Sequence, residues 1–460
     1  MKGLFRSGAI ACLVALALAA AAAAAELRSV SFSRDAAFAR LLLNFDQVPS
    51  YEVRDLGEPA RAEVLMLSTK LAPGASLPRA AYPLIALSSF QGKDNLSLSL
   101  RLPGAYPYGV SEKEGSLVLS FPLRFTDTLV IPVASGVILN VERESTGTAY
   151  YESFYTCLPP EVVASRMHLV VAASHGAKTL PLSAMSAMES AVLAINAGYF
   201  DGTGMPVSLV VADGQLAALP VKPARASLIV DRTGNAFVAR SRLEIWLVVD
   251  GRFVRVDGFN QQPEDGTVVA YSRLFPRSEL RPDAIYYRLS PEGVVPMSFQ
   301  RVLRESFDDY ILALHLSPEA DPFKHSQSAT LHWRLLRDGS GEIPVRLAVD
   351  GAPMLVEEGR INITTELDQV PKNIADSVRA RTAVGFDRSG NLIWYVARED
   401  DESAVPGLSL EELARKMLQL GAWTALNLDG GGSSEMTLNG DPLNLPRQKE
   451  RKLPVCLVVK

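Results

Sequence analysis

Ser409-Leu410-Glu411-Glu412-Leu413-Ala414-Arg415-Lys416-Met417-Leu418-Gln419-Leu420-Gly421 runs, after Ala422-Trp423, into Thr424-Ala425-Leu426-Asn427-Leu428-Asp429-Gly430-Gly431-Gly432-Ser433-Ser434-Glu435. Ser409 and Glu412 stand at the spacing of a capping box. Leu410, Leu413, Met417 and Leu420 form one apolar helix face, and Gly421 stops it. A strand follows in which period-two alternation sends Leu426 and Leu428 to one side and Asn427 and Asp429 to the other. Helix feeding strand, within a long region of mixed patterning, predicts an α/β (mixed α+β) domain.

The strand ends on three consecutive glycines, Gly430, Gly431 and Gly432, then Ser433 and Ser434. Such a run lets the backbone turn successive N–H groups inward around an anion such as a phosphate, with two hydroxyls adding donors. A plain flexible turn is the simpler account, but each ordered glycine costs roughly 0.5 to 1 kcal/mol relative to Ala and persists where the backbone needs it. Neither a G-x-x-x-x-G-K-[ST] nucleotide loop nor a G-x-G-x-x-G dinucleotide turn after a strand is present here.

Two earlier stretches share this design. In Ala191-Val192-Leu193-Ala194-Ile195-Asn196-Ala197-Gly198-Tyr199-Phe200-Asp201-Gly202 an apolar strand stops at Asn196 and presents Tyr199, Phe200 and Asp201 beyond its end. Aromatic faces pack on the C–H surfaces of a sugar while Asn and Asp bond its hydroxyls; an ordinary strand end closed by turn contacts is the competing account. In Arg379-Ala380-Arg381-Thr382-Ala383-Val384-Gly385-Phe386-Asp387, Arg381 and Thr382 at a strand entrance offer a guanidinium fork and a hydroxyl to a phosphate, although a single such arginine is more often surface decoration.

Taken in order, Asn196-Ala197-Gly198-Tyr199-Phe200, Arg381-Thr382-Ala383-Val384-Gly385 and Leu426 to Ser434 resemble the phosphodiester glycosidase family. The resemblance spans roughly 136–460. It implies hydrolysis of the bond between an anomeric carbon and a phosphodiester, with Asp429 and Asp201 as catalytic carboxylates. Asn196, Tyr199, Phe200, Arg381, Thr382, Asn427, Gly430, Gly431, Gly432, Ser433 and Ser434 would then bind the substrate. Where relatives often carry an Asp-Gly-Arg turn, this chain has Arg398-Glu399-Asp400-Asp401-Glu402-Ser403. Carboxylates crowded against a phosphate repel it, which raises their pKa or calls for a cation, so a divalent ion is one cofactor the site admits.

The front of the chain reads as short strands, Arg28 to Phe32, Arg40 to Phe45, Tyr51 to Asp55, Arg61 to Leu67, Leu96 to Leu102 and Ser116 to Phe121. They predict a small all-β sandwich-like domain over 26–125, with a linker over 126–135 and the catalytic domain over 136–460. The run Phe38-Ala39-Arg40-Leu41-Leu42-Leu43-Asn44-Phe45-Asp46, then Tyr51-Glu52-Val53, resembles the AMIN module of bacterial envelope proteins, which implies contact with cell-wall glycan.

Before it, Lys2 and Arg6 precede an apolar run from Ala9 to Ala25 that ends in small residues, the pattern of a signal peptide over 1–25 cut near Ala25. The expected setting is export to the periplasm or beyond, rather than retention by an anchor. Cys157 and Cys456 remain, and a disulfide or two buried thiols both fit. The five histidines show no zinc spacing. With 46 basic against 51 acidic residues the net charge is −5, which argues against a nucleic-acid partner. The carbohydrate phosphodiester hydrolase has two rivals: an envelope protein that binds glycan in the same pocket without catalysis, and a metal phosphoesterase that breaks P–O instead of C–O.

Overall fold

The structure, a computed structural model, describes residues 24–460 except 58–59, 221, 223–224, 273–274, 276–278, 291–292, 305–309, 315–320, 322 and 338–340. The signal peptide expected over 1–25 falls, but for its last two residues, outside the described residues.

Two compact units emerge. Among the described residues, the first comprises those up to Thr128 with Glu142–Glu152 and Glu399–Pro406; the second holds the remainder. The first unit is a sandwich of two antiparallel-dominated sheets. One contains Ala25–Arg34, Phe38–Phe45 and Ser116–Pro122; the other contains Tyr51–Asp55, Arg61–Leu67 and Asn95–Arg101. Alternation drives the packing: Leu96, Leu98 and Leu100 turn inward with Leu41, Leu43, Val64 and Leu119, while the intervening serines face out. Three strands were not legible in the sequence, Thr69–Leu71, Ala86–Gln91 and Gly109–Lys113; all lie at sheet edges, where burial imposes little pattern. Residues 126–135, expected as a linker, lie largely in the strand Arg124–Ala134.

The second unit corrects the expected α/β class. Over the described residues strands occupy 52% and helices 11%, so this is a predominantly β structure. Its pairings are almost all antiparallel, and the helices are short, the longest being Leu410–Gln419 with ten residues. The strands Leu193–Asn196, Leu392–Ala397 and Val455–Val459 are buried throughout. Fully apolar strands usually belong to helix-covered parallel sheets. Here they are buried because sheets cover other sheets.

Three sheets share one core, which gathers Leu193 and Ile195, Val210, Leu228, Leu347 and Val349, Val384, Trp394, Leu426 and Leu457. A second core, with Leu209, Ile229, Leu247, Leu312 and Leu331, lies on the far side of the sheet that holds Val345–Asp350 and Ala226–Asp231. The helix Leu410–Gln419 forms as its sequence dictates. The Ser409 side chain accepts from the Glu412 N–H, Glu412 reaches back to the Ser409 N–H, and Leu410, Leu413 and Met417 are buried.

Candidate active site

Strands from different sheets finish at one place. Ala383 lies opposite Asn427, so the entrance of Arg381–Asp387 adjoins the exit of Ala422–Asn427. Val345–Asp350 ends nearby, and the Ala352 N–H donates to the Asn427 carbonyl at 2.9 Å. The end of Leu193–Asn196 joins through side chains. Asn196, 1% exposed, donates from Nδ2 to the Asp429 carbonyl (2.6 Å) and accepts at Oδ1 from the Thr382 hydroxyl (2.6 Å) and the Glu435 N–H (3.1 Å). The three motif segments therefore meet.

Their side chains divide into those that build the site and those that face outward. Asn196 and Thr382 are consumed by the clamp just described. Asn427 is also buried: its Nδ2 lies 2.8 Å from the Tyr199 hydroxyl and from the Ala352 and Leu428 carbonyls. The Tyr199 hydroxyl in turn donates to the Ala352 carbonyl at 2.5 Å. Burial, helped by the Asp429 charge, pushes this phenol above its usual range and keeps it protonated. Tyr199 and Asn427 thus stiffen the floor beneath Asp429.

Asp429 is half-buried, with the Gly430 N–H donating to Oδ1 at 3.0 Å. Burial raises its pKa to about 6, although the Ser433 hydroxyl, Arg451 and the Gly430 N–H favour the charged form. It is ionised for the most part at neutral pH and can still take up a proton in the working range.

The glycine turn differs from the expected anion nest. Gly430, Gly431, Ser433 and Ser434 spend their N–H groups on Asp429 Oδ1 and on the carbonyls of Ala380, Gly430 and Gly431 respectively. Gly431 sits at φ +60, a left-handed conformation that favours glycine. Ser433 and Ser434 are each 1% exposed, so they line the turn from beneath.

Arg381 and Asp201 turn out to have local duties. Arg381, 2% exposed, donates from Nε to the Leu408 carbonyl (3.0 Å) and from Nη2 to the carbonyls of Ile374 and Ser377, bracing the segment behind the turn. Asp201 is exposed, and its Oδ1 accepts from the Thr203 N–H (2.8 Å), the Thr203 hydroxyl (2.7 Å) and the Met205 N–H (3.0 Å), which close its own loop. Its pKa is lowered overall; burial pulls upward, and the Thr203 and Met205 bonds outweigh it. A signal for this was present in the sequence. Asp231 and Asp387 head the same D-x-[ST]-G pattern and close their turns in the same way.

Two arginines missed by the sequence reading stand at the turn. Arg451 donates from Nη1 to the Ser433 hydroxyl at 3.2 Å, and its guanidinium lies 4.7 Å from the centre of the Phe200 ring. Arg379 lies against Gly431. Neither sits in a local pattern that marks it, since the fold alone brings Arg451 to the turn. The Arg451 charge acts on Asp429 and favours its ionised form. Among the described residues no group of three or more His, Cys, Asp or Glu side chains is placed to hold a metal ion. Cys157 and Cys456 are both free thiols, the former exposed and the latter buried. The stretch Arg398 to Ser403 contributes a two-residue strand, Glu399–Asp400, paired with Val405–Pro406.

Behind Tyr199 lies a further carboxylate. Asp350 is 1% exposed, neither oxygen makes a well-formed hydrogen bond, and burial lifts its pKa to about 7 despite nearby Ser208, the Leu209 N–H and Arg225. Below about pH 4 the group is protonated folded or unfolded and costs nothing. Between there and about pH 7 only the unfolded chain ionises, so stability falls, by on the order of 4 kcal/mol in total, and then levels off. Asp350→Asn should flatten this dependence. Urea midpoints at pH 5 and pH 8 check it, and equal pH slopes for variant and wild type would refute it.

The sequence profile of the phosphodiester glycosidase family matches residues 283–460. Human N-acetylglucosamine-1-phosphodiester alpha-N-acetylglucosaminidase is 33% identical over 114 residues, covering 23% of this chain and 22% of that protein. The chain thus matches about a fifth of the length of this curated relative. In fold, the chain resembles a hypothetical protein from Synechocystis (TM-score 0.62, 18% identity, 95% of this chain and 81% of that one). It also resembles a putative exported protein from Burkholderia pseudomallei K96243 (TM-score 0.55, 16% identity, 94% and 96%). Residues 283–460, which carry Arg381, Thr382, Asn427, Asp429 and the glycine turn, are thus similar in sequence to the phosphodiester glycosidase family.

Proposed function

We propose that the protein hydrolyses the glycosidic bond of a sugar-1-phosphodiester, with Asp429 as the catalytic carboxylate. The observation that carries this reading is Asp429 itself. It is a half-buried carboxylate of raised pKa, held at converging strand ends beside a glycine turn and two guanidinium groups, within the segment that matches the family.

The chemistry follows from the leaving group. A phosphodiester carries one negative charge, and rupture at the anomeric carbon releases it as a phosphomonoester that needs little acid assistance. The ionised Asp429 activates water or shields the oxocarbenium-like transition state. Asp201 is committed to its own loop, so the scheme uses Asp429 without a second exposed carboxylate from that segment.

N-acetylglucosamine is the first sugar to try, since it appears in the names of the curated relatives. An exported setting belongs to the same proposal, supported by the leader-like composition of 1–25, and so does a cell-envelope glycopolymer as the source of substrate.

Purified protein should liberate reducing sugar from N-acetylglucosamine 1-phosphomethyl diester. In oxygen-18 water the label should enter the sugar. Label in the phosphate would replace this reading with phosphoesterase chemistry, and binding without release would replace it with a glycan-binding role.

A further inference from the structure

We infer that the anion seat of this site is formed by Arg379 and Arg451 above the open face of Gly432, and that these residues, rather than Arg381, select substrates whose aglycone is charged. The inference rests on the function proposed above for the identity of the substrate, and on geometry for the seat.

The guanidinium of Arg381 is buried and bonded to backbone carbonyls, so it cannot fork onto a ligand without dismantling its own segment. Arg379 and Arg451 are exposed. Among the described residues neither takes part in an ion pair. Arg451 is fixed from two sides, by the Ser433 hydroxyl at 3.2 Å and by the Phe200 ring beneath it, which sets its plane and leaves N–H groups over for a ligand. Arg379 approaches the turn from the other direction: its Cδ and Nη1 lie 3.7 and 3.8 Å from where a Cβ on Gly431 would stand.

Gly432 supplies the third observation. Gly431 is explained by its positive φ, and a Cβ on Gly430 would crowd the Ala380 carbonyl at 3.3 Å. Gly432 has neither reason. Its backbone is open to any residue, it is exposed, and a Cβ there would meet nothing within 4 Å. Its N–H is also the one in the run from Gly430 to Ser434 that the turn does not use. A bare backbone flanked by two guanidinium groups with N–H donors to spare is a seat for a tetrahedral anion, here the phosphodiester, with Asp429 alongside to face the sugar.

The test measures binding apart from turnover. Calorimetry with N-acetylglucosamine 1-phosphomethyl diester and with the neutral methyl glycoside of the same sugar gives a preference ratio. That ratio is taken for wild type, Arg379→Met, Arg451→Met, Arg451→Lys and Gly432→Leu, with melting curves to verify folding. The preference should fall about ten-fold or more in each Met variant and in Gly432→Leu, with partial recovery in Arg451→Lys. Preference retained in both Met variants, or absent from wild type, overturns the seat whatever the hydrolysis assay shows. An arginine-dependent preference without sugar release upholds the seat and removes the enzymatic reading.

Discussion

Asp429→Asn is expected to lower sugar release from the phosphodiester by about 10³-fold while leaving the fold in place. The substitution is nearly isosteric. The Asn side-chain oxygen can still accept the Gly430 N–H that Asp429 Oδ1 accepts at 3.0 Å, so melting temperature should scarcely move. What disappears is the charge. Wild-type activity should rise as pH climbs through about 6, where Asp429 ionises, and level off above it. The direction is diagnostic: a base or an electrostatic shield works in the ionised form, whereas a proton donor would lose activity over the same interval. Near-wild-type turnover by the variant would remove Asp429 from the chemistry, and a falling limb at pH 6 would reverse its role.

Asn196→Ala should cost about 4 kcal/mol of stability or more. Three groups lose their partner at once, the Asp429 carbonyl, the Thr382 hydroxyl and the Glu435 N–H, and they are left in a site where Asn196 is 1% exposed. Each stranded polar group costs about 1 to 3 kcal/mol. Thr382→Val removes a single bond and should cost much less, and the double variant should be less destabilised than the two single effects combined, because both delete the same contact. Urea unfolding of the four proteins measures this. A loss below about 1 kcal/mol for Asn196→Ala would show that the strand ends hold together without it.

Much of this site could be read from sequence because its residues lie at strand ends, where a short apolar run stops on a polar side chain. That pattern located Asn196, Thr382, Asn427 and Asp429. It could not say which of them face a ligand. Asn196 and Thr382 bond each other across a separation of 186 residues, a partnership with no local trace. Alternation along a strand does not distinguish Arg379 at the surface from Arg381 beneath it, whose guanidinium bonds backbone carbonyls. The Asp201 carboxylate is engaged by residues only two and four positions ahead, a local contact that the strand-end pattern does not show.

Local chemistry was enough where it was self-contained. The helix Leu410–Gln419 was specified by its cap and its apolar stripe. The fold class was not, because a strand buried on both faces has the same composition whether helices or sheets cover it.

The division between knitted strand ends and exposed side chains shows where this scaffold can be retooled. Asp429 is held in place by side-chain hydrogen bonds, Asn196 to its carbonyl and Thr382 to Asn196, with Asn427 bonding the Ala352 carbonyl alongside, whereas Phe200, Arg379, Gly432 and Arg451 stand on loops or at the surface. A combinatorial library at those four outer positions would vary what the site accepts while the carboxylate keeps its place.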